Sequence, residues 1–351
     1  MSSVLALARP DILELQPYQH AAWDPSHERM HANEMPWRAL GDNTDAGLNR
    51  YPEPQPRALV DRMARLYDVP ASRVLVGRGS DEAIDLLARA FCRAGTDSVV
   101  TCPPTFGFYK VAARIQGAAV IEVPLRGEEF KLDTQGVIEA GHRAKIVFLC
   151  SPNNPTGNLL DEPDIVETCR SLAGHALVCL DEAYLEFSGR SSLARRIGEF
   201  PNLVILRTLS KAYALAGARC GTLIASEEIV GLLKLIIPPY AIPSSTVEEV
   251  LKLTESPQRS IADDRIRTIL AERERMRLRL ASMESVRHVF HSDANFLLVR
   301  CRDARSVLEA GKAAGLLVRD FSSATRLEGC LRISVGTPEQ NERLLAAVER
   351  A

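Results

Sequence analysis

The sequence lacks any apolar run close to the roughly 20 residues that a membrane-spanning helix needs. The stretch from Met1 to Pro10 has a short apolar run without a preceding basic region, too short for the core of a signal peptide. An excess of one charge is also absent, because 43 basic and 45 acidic residues leave a net charge of −2. Composition therefore gives no reason to expect a nucleic-acid or membrane partner, and we expect a cytoplasmic protein.

The eight cysteines form no C-x-x-C pair, and the sequence has no internal repeat or low-complexity stretch. Cys150, Cys179 and Cys220 lie within apolar runs that are typical of buried strands. We therefore expect buried thiols in a reducing compartment, with neither disulfides nor metal ligands among them. The 351 residues, 46% of them hydrophobic, are enough for two globular domains.

The most informative stretch begins where an apolar run, Leu203 to Leu206, leads into Thr208-Leu209-Ser210-Lys211. The run predicts a buried strand, and ligands of open α/β sheets bind where such strands end. Desolvation disfavours an ammonium ion there unless the amine has a use, and Schiff-base formation is one such use. Ser210 and Arg219 add a hydroxyl and a guanidinium for an anion. The set suits an aldehyde that carries a phosphate, with a surface lysine on a loop as the alternative.

A second anion site is predicted at the turn from Gly77 to Ser80, which follows an apolar strand. Apolar residues at helical spacing continue from there to Phe91, with Ser80 as the expected N-cap. The free amide hydrogens at the start of a helix bind phosphate. Gly79, Ser80 and Asp81 are therefore candidate phosphate-binding residues, and a plain capped helix is the alternative.

Other candidate side chains also follow predicted strands. Asp181 ends an apolar strand, where a carboxylate is costly unless it has a partner. Asp181 and Lys211 are separated by one crossover length, so two parallel strands would bring both to the same edge of the sheet. Asn154 lies in a proline-rich turn, Tyr184 follows Asp181, and Tyr109 follows an earlier strand. Core packing is the alternative for Tyr109, and capping of the next loop is the alternative for Asp181.

These motifs resemble those of the aspartate aminotransferase superfamily, the fold type I enzymes that use pyridoxal 5'-phosphate. The resemblance is carried by the S-K-A-(x)6-R-x-G segment at 210–221 and the S-P-N-N-P-T-G turn at 151–157. Within the superfamily, the L-R-I-S-V-G-T segment at 331–337 is most similar to the histidinol-phosphate aminotransferase family. The resemblance covers residues 33–336.

The resemblance implies an α/β fold with a large, mostly parallel seven-stranded sheet, helices on both of its faces, and a smaller α/β domain. We expect the large domain to span 44–257, and the small domain to combine 258–351 with an N-terminal arm, 1–43. A charged amphipathic helix, Gln258 to Met283, is expected to connect them.

The resemblance also assigns roles to the candidate residues. Lys211 would form the Schiff base with the cofactor and act as general acid and base, while Asp181 would pair with the protonated pyridine nitrogen. Asn154 and Tyr184 would share the phenolic oxygen of the cofactor, and Tyr109 would stack on its ring. Further cofactor contacts would come from Tyr51, Gly79, Ser80, Asp81, Ser210 and Arg219.

Two features bear on assembly and on substrate. Tyr51 precedes a proline-rich stretch that cannot be helical, and in the family this tyrosine reaches the cofactor phosphate of the other subunit of a homodimer. An interface tyrosine without a ligand is the alternative. Arg319 and Arg332 would bind substrate, and Tyr18 is a further candidate. Surface salt bridges for the arginines, and packing of the N-terminal arm for Tyr18, are the alternatives.

The implied reaction is transamination of L-histidinol phosphate with 2-oxoglutarate, which gives imidazole acetol phosphate and glutamate in histidine biosynthesis. A decarboxylase of a phosphorylated amino acid, such as threonine phosphate, would share most of these motifs, as would an aminotransferase for aromatic amino acids. A cofactor-binding regulator without turnover is a third alternative. The complete lysine and aspartate set, and the lack of a helix-turn-helix extension or basic tail, argue against the regulator.

Overall fold

The computed structural model describes residues 3–21, 24 and 26–351. Within these residues, no helix is both long and apolar enough to cross a membrane. Two β-sheets organise the chain, one of seven strands and one of four.

The seven-stranded sheet confirms the predicted large sheet. Its strands are β1 Val74–Gly77, β2 Ser98–Thr101, β3 Ala119–Glu122, β4 Ile146–Cys150, β5 Leu177–Asp181, β6 Leu203–Thr208 and β7 Gly221–Ile224. Their spatial order is β1-β7-β6-β5-β4-β2-β3; β7 pairs antiparallel with both β1 and β6, and every other adjacent pair is parallel. The five adjacent strands β3, β2, β4, β5 and β6 are parallel, and therefore the carboxyl ends of β4, β5 and β6 lie at the same edge of the sheet.

Helices cover both faces of this sheet, as the resemblance implies. They are α2 Arg57–Tyr67, α3 Ser80–Phe91, α4 Phe108–Ile115, α5 Thr134–Gly141, α6 Glu162–Ser171, α7 Glu227–Lys234 and α8 Ser244–Leu253, preceded by the short helix α1 Pro10–Leu13. Alternate residues of the central strands enter different apolar clusters, so that Val178 and Leu180 pack on one face and Leu177 and Cys179 on the other. This period of two explains why the central strands read as continuous apolar runs.

The small sheet is antiparallel and lies in the C-terminal part of the chain. Its strands are β8 Val286–Val289, β9 Phe296–Cys301, β10 Arg319–Asp320 and β11 Cys330–Ser334, in the order β10-β11-β9-β8. It packs against α9 Ser256–Ala281, α10 Ala304–Ala313 and α11 Pro338–Val348. The expected connecting helix is thus present two residues earlier than predicted, while the domain limits at 44 and 257 stay a prediction.

The eight cysteines are buried, as expected. Burial raises the pKa of each thiol, for example to about 12 for Cys92 and Cys102. The native protein therefore holds its cysteines as neutral thiols.

Candidate functional site

A cavity of about 270 Å³ opens at the carboxyl ends of β4, β5 and β6, beside the start of α3. It brings together nine of the predicted site residues: Ser80, Asp81, Asn154, Asp181, Tyr184, Ser210, Lys211, Arg219 and Arg332. Phe106, Cys150, Ala183, Thr208 and Ala216 complete its wall. The predicted edge of the sheet is therefore where the structure gathers these side chains.

Asp181 lies at the floor of the cavity and is only 3% exposed. Its carboxylate accepts hydrogen bonds from the Tyr109 hydroxyl at 2.7 Å and from the Ala183 amide at 3.0 Å. Burial nevertheless raises the pKa of Asp181 to about 6. No basic side chain of the described residues forms an ion pair with it, so this carboxylate is suited to a cation supplied from outside the chain.

Lys211 follows β6 and lies at the mouth of the cavity, with its Nζ 5.6 Å from the centre of the Tyr184 ring. Partial burial lowers the pKa of the amine, and the positive charge of Arg332 lowers it further. In the described part of the chain, no carboxylate pairs with this amine. Burial and the nearby charge of Arg332 thus both favour the neutral amine, which is the nucleophilic form.

The start of α3 and the loop after Lys211 form the anion-binding end of the cavity. Arg219 approaches the backbone so closely that a Cβ on Gly79 would lie 2.6 Å from its Nη2. Gly79 has a φ of 87° and precedes the first helical residue, Ser80, so the glycine and not the serine is the N-cap. The Ser80 side chain is thereby left free of a capping role, and the first amides of α3 keep no helical acceptor.

Hydroxyl and charged groups surround these amides. Arg219 Nη1 lies 3.5 Å from the Ser210 hydroxyl, and Thr208 Oγ1 donates to Ser210 Oγ at 3.0 Å. Arg219 Nη2 forms an ion pair with Asp81 Oδ2 at 3.3 Å. The Asp81 carboxylate is thus held by Arg219, which leaves the backbone amide of Asp81 as its candidate contact for an anion.

Arg332 enters the opposite side of the cavity from β11 and donates a hydrogen bond to Asn154 Oδ1. Its guanidinium lies over the Phe296 and Phe321 rings, 5.3 and 5.5 Å from their centres. Burial lowers the pKa of Arg332, and within the described residues no carboxylate pairs with it. A half-buried arginine without a counter-ion is a site for an anionic group.

The position of Tyr109 corrects the expectation that its ring stacks on a cofactor. The ring is fully buried and lies parallel to Phe148, with the centres 4.9 Å apart. Because α4 begins at Phe108, Tyr109 turns into the apolar cluster beneath the cavity and supports Asp181 from below. Phe106, in the turn before α4, lies in the cavity wall instead.

Sequence reasoning therefore missed Phe106 and Thr208. Phe106 was not among the predicted residues, although its place in the turn directly after β2 and before α4 puts it closer to the sheet edge than Tyr109. Thr208 ends β6 two residues before Ser210. A hydroxyl residue at a strand end was the signal that could have identified it.

Besides Gly79 and Tyr109, whose surroundings are given above, three predicted residues do not line the cavity of their own chain. Tyr51 is 49% exposed and stacks on Tyr240, with ring centres 4.6 Å apart. Tyr18 is 70% exposed, and Arg319 is exposed on β10, with its guanidinium 6.0 Å from the Phe321 ring centre. Their predicted contacts with cofactor or substrate stay predictions.

A larger cavity of about 680 Å³ is lined by Phe130, Phe290 and their neighbours and contains none of the predicted site residues. Several of its acidic groups already have basic partners, such as Glu129 with Lys131 and Glu274 with Arg277. The size of a cavity is therefore a poorer guide here than its chemistry.

Comparison with known proteins agrees with this geometry. Residues 24–348 match the family model described as aminotransferase class I and II, and the chain therefore belongs to that family and is an aminotransferase. Within the family it groups with the histidinol-phosphate aminotransferases. It is 44% identical to that enzyme from Stenotrophomonas maltophilia (strain R551-3), with 99% of this chain and 97% of the relative aligned.

Two further proteins are similar over most of the chain. The histidinol-phosphate aminotransferase of Xanthomonas euvesicatoria pv. vesicatoria (strain 85-10) is 42% identical, over 99% of this chain and 98% of the relative. The crystal structure of the Sinorhizobium meliloti histidinol-phosphate aminotransferase in complex with pyridoxal-5'-phosphate has a TM-score of 0.78 and 24% identity, covering 86% of this chain and 82% of that one. The fold type I architecture is thus confirmed.

Proposed function

We propose that the chain catalyses transamination between L-histidinol phosphate and 2-oxoglutarate, with pyridoxal 5'-phosphate as its cofactor. The products would be imidazole acetol phosphate and glutamate. The observation that carries the proposal is that one cavity joins the buried Asp181, the Lys211 amine and the anion-binding start of α3. Among the described residues, Asp181 has no cationic partner and Lys211 has no carboxylate partner. The names of the 40 to 45% identical relatives support the choice of substrate.

The residues present fit this cofactor. Its phosphate would lie against the backbone amides of Gly79, Ser80 and Asp81 and the side chains of Ser210 and Arg219, where a Cβ on Gly79 would collide with Arg219. Its pyridine nitrogen would supply the cation that Asp181 lacks, and Asn154 and Tyr184 would hold its phenolic oxygen. When bound, pyridoxal phosphate supplies an electron sink that stabilises negative charge on the substrate carbon.

The protein side chains would move and hold protons around that group. The Lys211 amine, with its lowered pKa, would take the proton from the substrate carbon as general base and, as general acid, deliver it to C4′ of the cofactor. Asp181, fixed by Tyr109 and the Ala183 amide, would hold a proton on the pyridine nitrogen. Tyr184 is nearly buried, and this burial raises the pKa of its phenol, so it would act as a hydrogen-bond donor.

Arg332 would bind the anionic group of either substrate. Histidinol phosphate has a phosphate and no carboxylate, whereas 2-oxoglutarate has carboxylates, so one site must accept both kinds of anion in turn. A guanidinium fork can bind either in bidentate fashion, and Arg332 has no competing carboxylate among the described residues. Arg319, opposite it on β10, would strengthen the site for the doubly charged phosphate.

We also propose that the enzyme works as a homodimer in which Tyr51 completes the phosphate site of the partner subunit. Large apolar side chains are exposed throughout the N-terminal part of the chain: Leu13, Leu15, Tyr18, Met30, Met35, Trp37, Leu40, Leu48 and Tyr51. Such a concentration of exposed apolar groups is typical of a protein interface. Tyr51 does not line the cavity of its own chain, which supports a role across that interface.

The experiment that tests the function is incubation of the purified protein with pyridoxal phosphate, histidinol phosphate and 2-oxoglutarate, followed by analysis of the products. Glutamate and imidazole acetol phosphate in equal amounts would support the proposal. Lys211→Ala is the matched control and should form neither product. Release of carbon dioxide from a phosphorylated amino acid, or transfer from aromatic amino acids alone, would replace the proposal with one of its alternatives.

A further inference from the structure

The loop between β10 and β11, residues 321–329, extends from the small sheet to the part of the chain that forms the large sheet and its connecting segments. Leu327 in this loop is fully buried, in the same apolar cluster as Leu125 and Phe130. Because the loop joins the strands that carry Arg319 and Arg332, its anchorage acts on both arginines.

Arg326 provides the polar part of this anchorage. Its Nη1 donates to the backbone oxygen of Leu125, and its Nη2 donates to that of Gly127 at 2.7 Å. The guanidinium also lies over the Phe130 ring, 5.7 Å from its centre. Arg326 has a φ of 68°, in the left-handed region that non-glycine residues rarely adopt, so these contacts offset a strained backbone.

A second arginine supports the same contact. Arg300 on β9 donates from Nη2 to the backbone oxygen of Arg326 at 3.5 Å. Its Nη1 forms an ion pair with Glu128 Oε2 at 3.2 Å. Two arginines of the C-terminal part of the chain therefore contact the segment 125–128, one from β9 and one from the β10–β11 loop.

The segment 125–128 is itself connected to the cavity. The Leu125 amide donates to the Pro103 carbonyl at 2.8 Å. The Asn153 side chain bonds to the two residues that follow Pro103, at 2.8 and 2.7 Å, and the next residue, Asn154, accepts from Arg332. Arg326 thus closes a series of contacts that begins in the β10–β11 loop and ends at Arg332 on β11.

We propose that Arg326 is a positioning residue that holds the β10–β11 loop on residues 125–127 and so keeps Arg319 and Arg332 ready for the anionic group of either substrate. This inference rests on the function proposed for those two arginines. Loss of Arg326 lowers the fraction of molecules that are ready to bind, and the apparent affinity for every anion falls by that same fraction. A residue that contacts the anion would instead discriminate between phosphate and carboxylate.

The test compares Arg326→Ala and Arg326→Lys with the control Arg305→Ala, which removes an exposed guanidinium paired with Glu309 in its own helix. In the cofactor-loaded enzyme, three constants are measured: the KM for histidinol phosphate, the KM for 2-oxoglutarate, and the dissociation constant of inorganic phosphate from calorimetry. Arg326→Ala should weaken all three by one common factor, roughly tenfold for the loss of a charge-assisted hydrogen bond. Arg326→Lys should behave similarly, because an ammonium lacks the planar fork that reaches two carbonyls.

Hydrogen exchange gives a readout that does not depend on turnover. Amides of residues 125–131 should exchange faster in Arg326→Ala than in Arg305→Ala. Unequal changes in the three constants, or a lower melting temperature with all three constants unchanged, would overturn the proposal. Inactivity of the unaltered enzyme on the two substrates would count against the proposed function, while phosphate affinity and exchange would still decide the role of Arg326.

Discussion

Arg319 and Arg332 are directly opposite each other in the antiparallel pair β10 and β11. Like charges in this arrangement destabilise a sheet, and neither guanidinium has a carboxylate partner among the described residues. An anion bound between the two guanidinium groups would relieve this repulsion, which supports the proposal that the pair binds the anionic group of the substrate.

The first prediction separates the two arginines. Arg332→Ala should weaken both half-reactions by roughly 30- to 4000-fold, since truncating one partner of a buried charged pair costs about 2 to 5 kcal/mol. Arg319→Ala should affect the histidinol-phosphate half more than the glutamate half, because the phosphate carries the larger charge. Stopped-flow measurement of each half-reaction is the check. Equal, small effects from both variants would mean that neither arginine binds the substrate anion.

The second prediction concerns the pH dependence of stability without cofactor. The pKa of Asp181 is raised from 3.8 to about 6, so its ionised form costs stability above that pH, and the cost vanishes as the pH falls towards the ordinary value. The cost amounts to about 3 kcal/mol at neutral pH. Cofactor-free Asp181→Asn should therefore unfold at higher urea concentration than the unaltered protein at about pH 8, with a smaller advantage at about pH 4.

Cofactor should reverse this order. Bound pyridoxal phosphate would supply a cation to Asp181 but not to the asparagine, so the cofactor should stabilise the unaltered protein more than Asp181→Asn. Turnover of the variant should also fall sharply. If the stability difference between the two cofactor-free proteins does not change with pH, Asp181 does not carry the buried charge described here.

The third prediction distinguishes the two aromatic residues near the floor of the cavity. Phe106→Ala removes a ring from the cavity wall and should raise the dissociation constant of the cofactor. Tyr109→Phe keeps the stack on Phe148 but removes one hydrogen bond to Asp181, so it should alter the pH profile of turnover more than cofactor affinity. Titration of the cofactor-free proteins by absorbance measures the first effect. Greater loss of cofactor affinity in Tyr109→Phe than in Phe106→Ala would contradict the assignment.

The fourth prediction tests the homodimer. Tyr51→Ala and Lys211→Ala should each have little activity, and a mixture that exchanges subunits should recover part of it, because a mixed dimer contains one site with both native residues. Native mass spectrometry can establish that exchange has occurred. An exchanged mixture that stays inactive would place Tyr51 in the site of its own subunit, or in none.

The large sheet and the edge that carries the site could be predicted because each strand is a local apolar run. The polar residue that ends the run marks the edge, as with Asp181 at the end of β5. The orientation of Tyr109 could not be predicted, since it depends on the residue at which α4 begins. The contact of Arg326 with Leu125 also could not be predicted from the sequence. It joins two loops that are 201 residues apart, and neither loop has a periodic pattern that indicates it.

Because all eight cysteines are buried, we expect the folded protein to react only slowly with thiol reagents. Alkylating reagents react with thiolates, and burial both raises the pKa of these thiols and hides them from the reagent. A single cysteine introduced on the surface, for example at Arg305 in α10, would then be the one site that takes a fluorescent or spin label. Conversely, the native cysteines would be alkylated only in molecules that have unfolded locally or globally, so the rate of alkylation would report unfolding.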